Sequence, residues 1–87
     1  MIMQIFAVYD AVAKAFATPF FMRSEGEALR AFASEVNNPG SQLHANHSDF
    51  SLHRIGEFDD ASGEIVAGGK MLAKASSVLG PTQKEDV

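Results

Sequence analysis

Met1 to Tyr9 is a run of Ile, Val, Phe and Tyr without a breaker, which predicts a β-strand. Two-residue alternation puts Ile2, Gln4, Phe6 and Val8 on one face and Met3, Ile5, Ala7 and Tyr9 on the other. Both faces are largely apolar, so the strand is expected to be central or to face a partner. Asp10 to Lys14 reads as the turn that follows, and its alanines also allow a helical turn. Ala15 to Met22, carrying Phe16, Phe20 and Phe21, reads as a second strand. Pro19 has no N–H for a ladder, which places that strand at an edge or at a bulge and limits unwanted strand addition.

The pattern then changes period. Leu29, Phe32, Ala33 and Val36 follow the i, i+3, i+4, i+7 spacing of a core-facing helix, expected from about Glu25 to Asn37. Ser24 and Glu27 form a capping box, in which each side chain satisfies a backbone N–H near the other. Glu25 and Glu27 also suit the positive end of the helix dipole. Asn37, Asn38, Pro39 and Gly40 stop the helix.

Ser41 to Asp49 is polar and without period, so it reads as a loop. Phe50 to Phe58 reads as a third strand, Asp59 to Gly63 as a short turn, and Glu64 to Ala67 as the returning strand of a hairpin. Gly63 supplies the positive φ that such turns often need. Gly68 and Gly69 are expected to break the strand, and Met71 to Leu79 to form a short helix. The fold class that results is α+β: a small antiparallel sheet in the order strand, strand, helix, strand, strand, with one helix packed on it and a possible short C-terminal helix. Residues 1–80 are expected to be a single domain and residues 81–87 a disordered tail. One helix covers one face of the sheet and leaves nothing for the other. Dimerisation is the expected remedy, and a barrel-like curl is the alternative.

Composition narrows the function classes. At 87 residues, 46% hydrophobic and 21% charged, the chain has ordinary globular usage. It has no cysteine, which excludes disulfides and thiolate metal sites. Its apolar stretches fall well short of a membrane span, and Met1 to Val8 lacks the flank and cleavage site of a signal peptide. The expectation is a soluble intracellular protein without a membrane partner. Eleven acidic against seven basic residues give a net charge of −4, which disfavours general DNA binding but leaves room for a local basic patch.

An ordered series of segments carries a family pattern. Phe6-Ala7-Val8-Tyr9-Asp10 leads to Ala15-Phe16 and Pro19-Phe20-Phe21, then to Gly26-Glu27-Ala28-Leu29-Arg30-Ala31-Phe32. Val36-Asn37-Asn38-Pro39, His47, Asp49-Phe50 and Ile55-Gly56-Glu57-Phe58-Asp59-Asp60 complete it. Over roughly Ile5 to Ile65 the chain resembles the small nonstructural protein of gokushovirus-type microviruses, which are single-stranded DNA phages. The resemblance implies a protein of the host cytoplasm, absent from the mature virion, that serves single-stranded DNA synthesis or its coupling to packaging. It implies no catalytic residues and no cofactor.

The residues themselves agree that enzymatic activity is not expected. Glu57, Asp59, Asp60 and Glu64 could hold a hard cation. Their spacing fits no EF-hand, however, and Asp-Asp before Ser-Gly is ordinary turn chemistry. His44, His47 and His53, with Asp49, lack the framework of a zinc site and read as scattered polar residues. No nucleophile elbow, P-loop or dinucleotide fingerprint is present.

Binding of single-stranded DNA needs aromatic platforms beside positive charge. Tyr9, Phe16, Phe20, Phe21 and Phe58 supply the first, and Lys14, Arg23, Arg30, Arg54 and Lys70 the second. Most phenylalanines are expected in the core, so Tyr9, Arg23, Arg30 and Arg54 are the expected DNA contacts. The rival expectation is a homodimeric interaction module that binds a replication or capsid component without touching DNA. Its acidic residues Glu57, Asp59, Asp60 and Glu64 would then meet a basic partner. A continuous basic groove would favour the first reading, and scattered charges the second.

Overall fold

A computed structural model describes residues 1–80; the expected tail, 81–87, lies outside the described residues. The elements run β1 (Ile2–Asp10), β2 (Ala15–Phe16), β3 (Phe20–Met22), α1 (Glu25–Val36), α2 (Gln42–Ala45), a 3₁₀ turn (His47–Asp49), β4 (Phe50–Asp59), β5 (Glu64–Lys74) and α3 (Ala75–Val78). Among the described residues, five strands form one antiparallel sheet. β1 is central. β2 and β3 share one of its edges, β4 takes the other, and β5 lies outside β4. The α+β class and the single packed helix layer stand as the sequence predicts.

Four local expectations need correction. The strand expected over Ala15 to Met22 is two short pieces, because the stretch through Pro19 leaves the ladder between them. The loop expected at Ser41 to Asp49 contains two short helical turns, the first capped by Ser41 Oγ, which accepts from Leu43 N at 3.1 Å. The strand expected to end at Ala67 continues through both glycines to Lys74. The helix expected over Met71 to Leu79 is a single turn, Ala75–Val78.

The glycines explain the third correction. Between Arg54/Lys70 and Gly56/Ala67 the register slips, so Gly68 and Gly69 together stand opposite Ile55. A Cβ on Gly69 would lie 1.8 Å from the Arg54 carbonyl oxygen, and Gly68 has φ +134. The pair forms a bulge that only glycine fits, and the strand survives it.

The helix side of the sheet holds the core. Phe6, Ala28, Phe32, Val36, Leu52 and Ala75 are buried together, with Phe20 stacked on Phe6 at 5.8 Å between ring centroids. α1 shows half of the expected capping box: Ser24 Oγ accepts from Glu27 N at 3.2 Å, while Glu27 reaches one residue further back and accepts from Arg23 N at 3.2 Å. Asn37 does more than end the helix. Its side-chain amide donates to Ala33 O and Val78 O, and its Oδ1 accepts from Gly80 N, tying the end of α1 to the end of the described chain.

Among the described residues, the opposite face of the sheet is bare. Register places Met3, Ile5, Ala7 and Tyr9 of β1 there, with Phe16 of β2 and Phe21 of β3. β4 adds Ser51, His53, Gly56 and Phe58, and β5 adds Ile65, Ala67, Met71 and Lys74. No described helix packs on this side, and Phe16, Phe21, Ile65 and Met71 are each about half exposed or more.

A candidate binding face on the sheet

One end of the bare face is aromatic. The Tyr9 ring lies 4.9 Å from Phe16 and 6.0 Å from His53, and Phe16 lies 5.2 Å from His53, all measured between centroids. The sequence makes this trio through pairing: Tyr9 is opposite Phe16, and the bulge at Ile55 brings His53 onto the face beside Ala7. Ser51 Oγ bonds His53 Nε2 at 2.9 Å. Partial burial holds the His53 imidazole below its ordinary pKa of 6.5, favouring the neutral ring. Lys74 extends the same row, opposite Ser51, and exposed Lys14 stands in the adjoining β1–β2 turn. Asp10 builds that turn by accepting from Val12 N and Ala13 N, and Lys14 closes it at φ 57.

The other end is apolar. Met3, Ile5, Phe21, Phe58 and Ile65 lie together there, with the Phe21 and Phe58 rings 5.7 Å apart and edge to face across β1. No register position of the bare face carries a carboxylate. The described acids lie elsewhere: Glu25, Glu27 and Glu35 on α1, Asp49 in the 3₁₀ turn, Asp10, Glu57, Asp59 and Glu64 at helix-side positions of the strands, and Asp60 in the hairpin turn. Among the described residues of a chain of net charge −4, one broad face therefore carries no negative side chain at its register positions.

The expected DNA contacts are not gathered on one surface. Tyr9 is on the bare face. Arg23, at the end of β3, donates to Glu27 at 2.9 Å and holds that carboxyl below its usual pKa. Arg30 is exposed on α1, in the opposite layer. Arg54 is on the helix side, where it donates to Gln4 at 3.2 Å, Gly68 O at 3.0 Å and Glu57 at 2.9 Å. Arg54 thus clasps the glycine bulge, and its charge is matched. Lys74, together with Phe16 and His53 as partners of Tyr9, was missed because only the register shows which side chains share the row.

The acidic set is likewise dispersed. Glu57 is bound by Arg54, Asp59 Oδ1 accepts from Ala61 N at 2.9 Å, and Asp60 receives the terminal ammonium at 2.8 Å. Glu64 is exposed opposite Asp59. Asp59 and Asp60 stand at the β4–β5 turn, and Glu57 and Glu64 are in the strands on either side of it. His44 Nδ1 pairs with Val36 O and His47 Nδ1 is buried without a partner, while His53 is on the sheet. Among the described residues no group of His, Asp and Glu is placed to hold a metal ion.

Two depressions flank the helix layer. Gln4, Glu25, Arg54, Glu57, Gly69 and Lys70 line a polar cleft of about 430 Å³, with opposite charges balanced along it. Val8, Phe20, Met22, Ala31, Phe32, Glu35 and Leu43 line an open apolar groove of about 330 Å³. Neither is a basic channel. No described helix is long and apolar enough to cross a membrane.

A family model described as Phage ORF5 protein matches residues 3–78, a span that takes in the whole bare face and α1 to α3. No curated protein and no solved structure matches the chain significantly.

Proposed function

We propose that this chain, which belongs to the phage ORF5 protein family, is a non-catalytic, nonstructural protein of the gokushovirus type that binds single-stranded DNA on the bare face of its sheet. Its service would be to genome synthesis, or to the coupling of synthesis with packaging, in the host cytoplasm. The observation that supports this reading is the carboxylate-free face with Tyr9, Phe16 and His53 packed at one end beside Lys14 and Lys74.

Bases can stack on exposed aromatic faces whatever their identity, at about 1–3 kcal/mol each. Phosphates would meet the two lysines and, at the far rim, Arg23, whose side chain remains 68% exposed despite its ion pair. Arg30 and Arg54 drop out of the contact set, Arg30 because it belongs to the other layer and Arg54 because it is bound in place.

Fluorescence anisotropy of a labelled single-stranded oligonucleotide tests the proposal. Binding should saturate and weaken as salt rises, with a logarithmic slope of about −0.7 per phosphate contacted. Tyr9→Ala should weaken binding by roughly tenfold, within the range for one stacked base. Lys74→Glu should weaken it and flatten the salt slope. Absence of binding at low salt sinks the proposal, and would favour the interaction module whose Glu57, Asp59, Asp60 and Glu64 meet a basic replication or capsid protein.

A further inference from the structure

We propose that a second copy of this chain covers the bare sheet face in the free protein, and that the copy must leave before a DNA strand can bind. The dimer half of this inference stands on its own; the exclusion half rests on the DNA-binding reading above.

The face asks for a cover because of what it exposes. Phe21, Ile65 and Met71 are 48%, 64% and 49% exposed, and none belongs to the helix-side core. Ile65 and Met71 offer neither a charge for a phosphate nor a ring for a base. Large exposed apolar patches on soluble domains usually mark interaction sites.

The area fits a second copy. The face is four strands wide, and β1 is nine residues long. At about 4.8 Å between strands and about 3.4 Å per residue it presents roughly 600 Å². Two such faces give roughly 1,200 Å², the lower bound of a standard stable interface. Two twisted sheets pack this way at about 10 Å separation, with their strands some 30° apart.

Charge also permits it. The register positions of the face carry one charged side chain, Lys74, and it lies at an end. The carboxylates of the described residues in both copies would lie outside the sandwich, so their mutual repulsion acts at a distance and is screened by salt. Tyr9, Phe16 and His53 would be inside it, and these are the groups a base must reach. One face cannot serve both occupants at once.

Sedimentation velocity of the full chain, with and without a short oligonucleotide, tests the proposal. The free protein should sediment with twice its 9.3 kDa mass at micromolar concentrations, with association unchanged or tightened by salt. Ile65→Lys should weaken the dimer at least tenfold while circular dichroism stays native. Because it adds a cation to the same face, it should leave DNA binding equal or stronger. Val12→Lys, an exposed change in the β1–β2 turn, should leave the dimer intact. Oligonucleotide should convert dimer to a complex with one protein chain per strand-binding site.

A wild-type protein that stays monomeric at all concentrations overturns the dimer, whatever the anisotropy shows. An Ile65→Lys protein that still dimerises overturns this face as the interface. DNA bound to an intact dimer overturns the exclusion. A dimer that ignores DNA overturns the exclusion together with the DNA reading, and leaves the dimer standing.

Discussion

Gly69 sits where its backbone nearly touches another, and the consequence can be measured. With a built Cβ only 1.8 Å from the Arg54 carbonyl oxygen, Gly69→Ala must push β4 and β5 apart. The contact is backbone on both sides, so no side chain can yield. A loss of about 3 kcal/mol or more is expected, at the severe end for single substitutions, read from chemical denaturation. Gly26→Ala, on the exposed side of α1 with nothing nearer than 3.9 Å, should instead stabilise by roughly 0.5–1 kcal/mol. His53 makes a second residue-level prediction. Its folded-state pKa lies below 6.5 because burial disfavours the charged ring, so the unfolded chain takes up the proton first. Stability should be intact above about pH 6.5 and fall as pH drops through the lowered value. His53→Gln should flatten that part of a stability profile. Glu27, lowered chiefly by its hydrogen bond with Arg23, adds a separate loss below its ordinary value of 4.5.

Among the elements, α1 was the most legible, because its stripe, capping box and stop signal all agree. Ser24→Ala removes the Oγ that accepts from Glu27 N, and should cost about 1 kcal/mol, measurable as a shift in unfolding midpoint without change of slope. β5 was the least legible. Gly68-Gly69 looks the same in a sequence whether it ends a strand or bulges one, and the difference lies in Arg54, fourteen or more residues away, which donates to the Gly68 carbonyl. The C-terminal segment misled for a related reason. Met71, Leu72, Ala75 and Leu79 do suit one side of a helix, yet pairing of Met71 with His53 and Ala73 with Leu52 holds the backbone extended until Lys74. Tertiary pairing overrode local pattern. Asn37 shows the reverse gap: its role as a stop was visible, while its bonds to Val78 and Gly80 join positions that no local spacing relates.

For the whole molecule, the central place of β1 and the uncovered side of the sheet were both readable from two apolar faces on one strand. Which aromatics share that uncovered side was not readable, since it depends on the slip at Ile55 that turns His53 toward Tyr9 and Arg54 toward the helix. The same slip removes Arg54 from the expected contact set and leaves the face without carboxylates. Salt separates the two uses proposed for that face: oligonucleotide binding should loosen as salt rises, whereas self-association should hold or tighten. Measured on one preparation, the two trends should run in opposite directions.

The central position of β1 also governs the order of assembly. Its partners on one side, β2 and β3, follow within twenty residues, but β4 begins only at Phe50. At synthesis rates of roughly 5–20 residues per second, β1 waits seconds with one flank open. During that interval the nascent chain offers Ile5, Phe6 and Val8 on an unpaired ladder, the kind of template that recruits neighbouring chains on a crowded polysome. High expression should therefore favour inclusion bodies over soluble protein, and lowering the temperature or the rate of synthesis should recover it.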